Sequence, residues 1–498
     1  MRASRGTSAT PFPSELPEPF ERLAGVCKNV CHSARSTGVP RSLRSLRAVR
    51  ALVMGLGRFG GGAGVVRWLV EQGAVVTVTD QAEERDLTDS LATLRELPIT
   101  CHFGGHDVAL LDRADLVVVN PAVDKRRSTF FHQLERRSLD WTTEINLFCE
   151  RCPATVVGVT GSFGKSTTAA MIARAAQQVR DSTSAPFRRA HLGGNFGGSL
   201  LGELSAMRPQ DVVVLELSNA QLEDLPRIEW VPHIAVITNL HPHHLDRHGT
   251  LEEYVRVKLN ILESSSYANK VVLGECDSAV ASQVERACGD QTRRLHYVTE
   301  PDPPFPLAVP GRHNQLNAAC AVAACGLLGI DAVRAREAVC GFTGLPHRLE
   351  SVATIHGVLF VNDSKSTSPA CTVTALRALN RPVILLAGGQ RKTVDLLEWV
   401  AIARRLCRLV VCFGESGPVF AAALEEGSSS GSRPAVAITH DLSAACQTAL
   451  EQARSGDLVL LSPGAPSFDA YANFVARGES FVQWVGAHHC ASVNTKER

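Results

Sequence analysis

Short, densely apolar runs recur along the chain, separated by stretches in which apolar residues return every three or four positions. Such runs lie from Val49 to Met54, Ala74 to Thr79, Leu116 to Val119, Thr155 to Thr160, Val212 to Leu217, Ile234 to Asn239, Val383 to Ala387, Leu406 to Phe413 and Leu458 to Leu461. With little polar alternation, they suit strands covered on both faces, as in parallel sheets. After the first run, Val65, Val66, Leu69 and Val70 fall at helical spacing, so strand, helix and strand alternate. The chain has 498 residues, and roughly 150 residues per domain implies about three cores. The boundaries expected are an extension over 1–48 and domains over 49–150, 151–344 and 345–498.

Chemistry collects where the runs end. Thr155 to Thr160 breaks at Gly161 and continues through Ser162, Phe163, Gly164, Lys165, Ser166, Thr167 and Thr168, where a helix should begin. Glycines let N–H groups turn onto oxyanions, the helix N-terminus adds positive charge, the lysine reaches terminal phosphates, and Ser166 or Thr167 offers a hydroxyl to magnesium. The spacing departs by one residue from the strict phosphate-loop pattern, since Gly158 lies one position too early; a bare glycine turn is the competing explanation.

Gly55, Gly57 and Gly60 form GxGxxG after the first run, and Asp80 ends the second. In a strand–helix–strand unit that acid is placed to accept from a ribose or base, or to cap a helix. Asn195 stands among Gly193, Gly194, Gly197 and Gly198, either a ligand loop or a plain turn. Glu216 ends a buried strand and is the first candidate for Mg²⁺. The cluster His241, His243, His244, Asp246 and His248 could serve zinc, magnesium or a polar loop; lacking a second ligand pair, it suits the nucleotide's metal better than structural zinc. Lys258 reads by itself as a surface lysine. Asn314 and Asn317 could read a base or sugar edge, or cap a helix. In the last domain the strand ends gather Asp363, Lys392 and Ser467 at one rim, suited to a carboxylate substrate.

Composition narrows the field. Apolar residues make up 45% and charged residues 20%, with formal net charge +1, so no global field draws the chain onto nucleic acid or an acidic membrane. Fifteen cysteines lack a repeated spacing. Cys149 and Cys152 form the only close CxxC, and thiols in a reducing cytoplasm are expected rather than disulfides or zinc. No apolar run approaches the roughly 18 to 20 residues that span a bilayer. Residues 1–48 carry Pro11, Pro13, Pro17, Pro19 and Pro40 and read as a disordered extension. Its arginine and serine content is that of a transit peptide, yet Glu15, Glu18 and Glu21 oppose that; an overlong start assignment explains it equally.

Taken in order, TGSxGKST at 160–167, GGNxG at 193–197, LELS at 215–218, the histidine loop ending at Gly249, HNxxN at 313–317, GLPHRLE from Gly344, NDSKST from Asn362 and GGxxK from Gly388 resemble the Mur ligase family of peptidoglycan synthesis. The stretch from Ser462 to Gly478, with the compact first domain, is most similar to the branch joining D-glutamate to UDP-N-acetylmuramoyl-L-alanine. The resemblance implies a Rossmann-like UDP-binding domain, a central P-loop ATPase-type α/β domain and a C-terminal Rossmann-like domain for the amino acid. It also implies a monomer in the cytoplasm using ATP and two Mg²⁺, without nucleic acid or membrane insertion.

By the same resemblance, Gly161, Ser162, Gly164, Lys165, Ser166 and Thr167 hold the ATP phosphates. Asn317, Arg348 and Asp363 contact adenine, phosphate and ribose. Ser166, Glu216 and His244 hold metal, with Lys258 as a CO₂-derived carbamate. Arg58, Phe59, Asp80, Gln81, Asn195 and Ser218 face the UDP substrate, and Thr367, Lys392, Ser467 and Phe468 receive D-glutamate. His243 replaces an aspartate of the family loop, Asn219 and Ala220 replace Ser-Phe, and Gln390 with Arg391 replaces an acid-containing pair. A ligase for a different amino acid, a folylpolyglutamate synthase-like ligase, an NAD-dependent oxidoreductase and a silent scaffold stand as alternatives.

Overall fold

The computed structural model describes residues 45–57, 61–180, 186–241, 249–262, 270–288, 295–309, 311–379, 381–391, 394–426 and 434–494. The chain divides into two compact units: residues 1–165, 175–297 and 323–335 form one, and residues 166–174, 298–322 and 336–498 the other.

The first unit holds two parallel sheets. One is built from β1 (Arg50–Met54), β2 (Val75–Thr79), β3 (Ile99–His102), β4 (Leu116–Val119) and β5 (Trp141–Thr142) in the order β3-β2-β1-β4-β5. The other comprises β6 (Thr155–Thr160), β7 (Ala190–Gly194), β8 (Val212–Glu216), β9 (Ile234–Asn239), β10 (Lys270–Glu275) and β11 (Leu295–Tyr297), in the order β11-β10-β9-β6-β8-β7. In each sheet the strand order reverses at the strand leading into the glycine-rich turn, β1 or β6. That reversal is the position at which α/β proteins in general bind ligands.

Both sheets contribute to one apolar core: Val53, Leu56, Val66 and Leu69 join Val156, Val213, Leu215 and Ile237, all at most 2% exposed. The helix Gly61–Glu71 buries Val65, Val66 and Leu69 as its spacing predicts. Gly62 lets that helix close on the end of β1, since a Cβ there would lie 2.0 Å from the Leu56 carbonyl oxygen.

The second unit holds β12 (Glu350–Ile355), β13 (Val358–Asn362), β14 (Val383–Gly388), β15 (Cys407–Phe413), β16 (Ala435–Ile438) and β17 (Leu458–Gly464), in the order β12-β13-β17-β14-β15-β16. Only β12 runs antiparallel, as a hairpin with β13. Separate apolar clusters cover the two faces, one around Trp399, Val410 and Leu460 and the other around Phe360, Val459 and Phe481. The α/β class and the three sheets agree with the sequence.

Two local expectations change. His191 and Leu192 belong to β7, which shortens the ligand loop to the residues around Asn195. Leu46 is 4% exposed and packs into the core, so folded chain begins before Val49; the rest of the expected extension, 1–44, lies outside the described residues. Cys149 is buried on the helix Glu144–Arg151, with burial holding its thiol well above the ordinary value; neither it nor Cys152 is in a disulfide. Among the described residues, no helix is long and apolar enough to cross a membrane.

Candidate active site

β6 is buried along its whole length, and the loop after it is held from β9. The Ser162 N–H donates to the Asn239 carbonyl oxygen at 3.0 Å, and the Phe163 N–H to Asn239 Oδ1 at 3.0 Å. Thr238 Oγ1 donates to the Phe163 carbonyl at 2.6 Å. Gly161 has φ +145°, and a Cβ there would lie 2.0 Å from Thr238 Oγ1, so only glycine fits. The Ser162 hydroxyl, expected at the phosphates, is engaged with the His241 carbonyl at 2.9 Å and the Tyr254 hydroxyl at 2.8 Å; it braces the loop. Lys165 Nζ donates to the Gly161 and Ser162 carbonyls, each at 3.0 Å, which places its ammonium against the turn.

Lys258 overturns its reading as a surface residue. It is 1% exposed, on the helix Leu251–Leu259, and its Nζ donates to Thr160 Oγ1 at 3.0 Å. Burial, and then repulsion from Lys165, hold its amine well below the ordinary lysine value, while Glu216 opposes that shift. Burial therefore disfavours the charged form of this amine beneath the glycine-rich loop.

Glu216 is 1% exposed at the end of β8. Its carboxylate accepts from Asn195 Nδ2 at 2.8 Å, and the Asn195 N–H donates to its carbonyl at 2.9 Å. Ser218 caps the helix Asn219–Leu222 in a reciprocal arrangement with Gln221, so its hydroxyl is engaged in shaping that turn.

In the first sheet, Asp80 Oδ2 accepts from the Leu56 and Gly57 N–H groups at 2.7 and 3.1 Å, and Oδ1 from the Ala82 N–H at 2.9 Å. The acid therefore shapes the glycine turn directly. Gln81 is exposed beside it. Arg58 and Phe59 lie outside the described residues, as do His243, His244 and the rest of the histidine loop after His241.

In the second unit, Ser166 and Thr167 are buried in the helix Lys165–Arg180. Arg348 Nη2 donates to Ser166 Oγ at 3.0 Å, and among the described residues Arg348 Nε and Thr168 Oγ1 are buried without a hydrogen-bond partner. A buried guanidinium N–H with no acceptor calls for an anion, so Arg348 fits a phosphate. Asn317 Nδ2 donates to Asn314 Oδ1 at 3.3 Å, within the helix Arg312–Leu327.

Asp363 accepts from the Leu349 N–H at 3.2 Å and from the Ser366 and Ser462 hydroxyls at 2.5 and 2.8 Å. Burial nevertheless raises its carboxyl to about 6. These bonds fix the turn after β13, a positioning role beside the expected ribose contact. Asp363 and Ser467 follow the neighbouring parallel strands β13 and β17, at one rim as the sequence predicts. Ser467 is buried and Phe468 exposed, Thr367 is half-buried, and Lys392 lies outside the described residues.

Sequence reading missed Arg477. Its fully buried guanidinium donates to the Ser364 hydroxyl at 3.1 Å, and to the Ser364, Ala465 and Gly388 carbonyls at 2.9, 3.1 and 3.4 Å. It thereby ties three strand ends together, and the only signal was an arginine amid an apolar helical stretch.

A hard cation favours oxygen ligands. The described residues contain no ready cluster of three or more His, Cys, Asp or Glu side chains. The Glu216 carboxylate and the Ser166 hydroxyl are nevertheless each an oxygen donor of the type magnesium takes.

Three family models match this chain: "Mur ligase MurD-like, N-terminal domain" over 49–137, "Mur ligase middle domain" over 159–301 and "Mur ligase, glutamate ligase domain" over 347–464. A UDP-N-acetylmuramoylalanine–D-glutamate ligase of Symbiobacterium thermophilum is 35% identical over 464 residues, covering 88% of this chain and 98% of its own. This chain belongs to the Mur ligase family. The ligase of the same description from Salinibacter ruber is 33% identical, with 88% and 98% coverage. The Mur ligase fold is also found in the crystal structure of MurF ligase from Thermotoga maritima in complex with ADP, which is 16% identical with a TM-score of 0.50 and covers 90% of this chain and 97% of its own.

Among the described residues, the departures from the family motifs leave the local frame in place. Asn219 is buried at the start of the helix capped by Ser218. The Gln390 N–H donates to the Pro466 carbonyl at 2.8 Å, and the Arg391 N–H to Glu415 Oε2 at 3.2 Å. At 390 and 391 backbone bonds shape the Mur ligase turn, so it tolerates changed side chains.

Proposed function

We propose that this Mur ligase chain adds D-glutamate to UDP-N-acetylmuramoyl-L-alanine, using ATP, in cytoplasmic peptidoglycan biosynthesis. Supporting this reading are curated relatives of that description at 33–35% identity. The observation that carries the chemistry is Lys258, a buried amine bonded to Thr160 below the glycine-rich loop, where burial disfavours its charged form. An ordinary structural lysine would keep its charge in water. A neutral amine adds to CO₂, losing one proton, and becomes a carbamate anion.

Residues 49–150 would take the UDP group, through Arg58, Phe59, Asp80 and Gln81, with Asn195 and Ser218 facing the muramoyl part. Residues 151–344 would take ATP and residues 345–498 the amino acid. The substrate carboxylate attacks the γ-phosphorus, ADP leaves, and an acyl phosphate results. The D-glutamate amine then attacks the acyl carbon; phosphate leaves and the amine loses a proton. Both transition states gather anionic oxygens, so positioned cations dominate over covalent catalysis. Magnesium, held by Ser166, Glu216, His244 and the Lys258 carbamate, would supply positive charge at the phosphate oxygens.

Gly161, Gly164, Lys165 and Thr167 would orient the phosphates from the loop, and Arg348 would neutralise them. Asn317 and Asp363 would orient the nucleoside. Thr367, Lys392, Ser467 and Phe468 would hold D-glutamate with its amine unprotonated and aimed at the acyl carbon. The test is purified protein with UDP-N-acetylmuramoyl-L-alanine, ATP, Mg²⁺ and a panel of amino acids, read by product mass. D-glutamate addition is expected; ligation of another amino acid instead would replace this reading with a different specificity, and no ATP-dependent product would remove it.

A further inference from the structure

Besides the Lys125–Asp224 ion pair, a contact made by Glu144 links the parts of the first unit that carry its two sheets. Glu144 opens the helix Glu144–Arg151, and its carboxylate accepts from the Ser199 hydroxyl at 2.6 Å. Ser199 is the residue at which the glycine-rich loop ends. It is also wedged against the helix Gly61–Glu71, because a Cβ on Gly64 would lie 2.8 Å from Ser199 Cβ. That helix follows the glycine turn of the first sheet. Ser199 thus meets one helix through packing and another through a charge-assisted hydrogen bond.

From Ser199 the connection to the reacting end is short. The Gly194 N–H donates to the Gly198 carbonyl at 2.9 Å, closing the loop on itself. Asn195 projects from this closed loop, and its side-chain amide holds the Glu216 carboxylate. Leu200, 4% exposed, anchors the exit beneath Gly193, where a Cβ would lie 2.4 Å from Leu200 Cγ. Anything that lets Ser199 shift therefore lets Asn195 shift, and Glu216 with it.

A half-buried carboxylate is an expensive way to hold a hydroxyl. Burial raises the Glu144 carboxyl to about 7, opposed by the Ser199 hydrogen bond, and an uncharged acceptor of the same shape would fold more easily. Its use at this joint makes sense where a short, strong hydrogen bond must fix a loop that ligand binding would otherwise displace.

We propose that Glu144 is a positioning residue, which through Ser199 sets the loop bearing Asn195 for the UDP-linked substrate. The inference rests on the reaction proposed above for the role of that loop, but the contact can be tested without it.

The experiment compares the full chain with Ser199→Ala, Glu144→Ala, Glu144→Gln and the Ser199→Ala/Glu144→Ala double variant. Hydrogen–deuterium exchange without ligands reads the joint itself: both alanine variants should speed exchange across residues 193–201 while leaving the segment after β9 unchanged, and Glu144→Gln, which keeps an acceptor oxygen, should stay close to wild type. Kinetics read its use. KM for UDP-N-acetylmuramoyl-L-alanine should rise about tenfold in each alanine variant, the fold-change a lost charge-assisted hydrogen bond gives, with KM for ATP within twofold. The double variant should be no worse than either single one. Unchanged exchange in Ser199→Ala and Glu144→Ala overturns the proposal, and so does an equal rise in both KM values. Faster exchange in a protein whose wild type makes no product supports the joint and refutes the reaction instead, so the two failures are distinct.

Discussion

Replacing Glu144 by glutamine should stabilise the protein, and only above a defined pH. The Glu144 carboxyl has an ordinary value of 4.5 and is raised to about 7 in the fold, chiefly because burial disfavours the ionised form. A carboxyl raised by folding stays protonated in the native state while the unfolded chain releases its proton. Stability therefore falls as pH rises from 4.5 to about 7 and levels off beyond. A shift of about 2.5 units at 1.36 kcal/mol each amounts to about 3 kcal/mol. Glutamine keeps an acceptor for Ser199 but never ionises, so its advantage should be near zero at pH 4.5 and reach about 3 kcal/mol at pH 8. Trp68 provides a local probe: it is 4% exposed on the helix packed near Glu144, with the Arg151 guanidinium 5.5 Å from its ring. Urea unfolding followed by tryptophan fluorescence at several pH values should show the midpoints separating by roughly 0.5–1 M at pH 8 and converging at pH 4.5. A separation independent of pH, or a less stable glutamine variant at pH 8, would refute the claim that the fold disfavours the ionised carboxyl.

Three further outcomes follow from other residues. Lys165→Ala should cut ATP-dependent ligation by about a hundredfold or more, since one such electrostatic contact is worth about 3 kcal/mol, while the melting temperature stays close to wild type; near-normal ADP release would refute the phosphate-loop assignment. Lys258→Ala should lose activity and recover part of it with added formate or acetate, whose carboxylate replaces the carbamate, and a failure of every short carboxylate to rescue would count against that role. His233 is half-buried, accepts the Val156 N–H on Nδ1 at 3.0 Å and is lowered to about 4 from 6.5 by burial. Its contribution is complete above pH 6.5 and is lost as pH falls toward 4, about 3 kcal/mol in all. That slope is opposite to the Glu144 slope over nearly the same window, so the wild-type curve should be flatter than either. A His233→Gln curve as steep between pH 6.5 and 4 as the wild-type one, once the Glu144 contribution is removed in both, would show that the imidazole is not buried neutral.

Much of this protein is local in the chain and so visible in its sequence. Strands such as Val212–Glu216 are apolar on both faces, and that pattern specifies a covered parallel strand wherever it falls. Glycine followed by lysine and hydroxyls at 161–168 reads as a turn suited to anions because backbone freedom, helix start and cation lie within a few residues of one another.

What depended on tertiary structure was the protonation state and the purpose of polar groups. Nothing near Lys258 in sequence says that β6 will cover it and deprive its ammonium of water. Asp80 and Ser162 have the chemistry to meet a ligand, and N–H, carbonyl and hydroxyl groups from distant segments also enlist them in bracing the loops. Arg477 and Glu144 seemed ordinary charged helix residues until strand ends and a loop exit closed around them. Burial and hydrogen-bond partners across the chain set the free energy of a charge, and only the fold within each unit determines either.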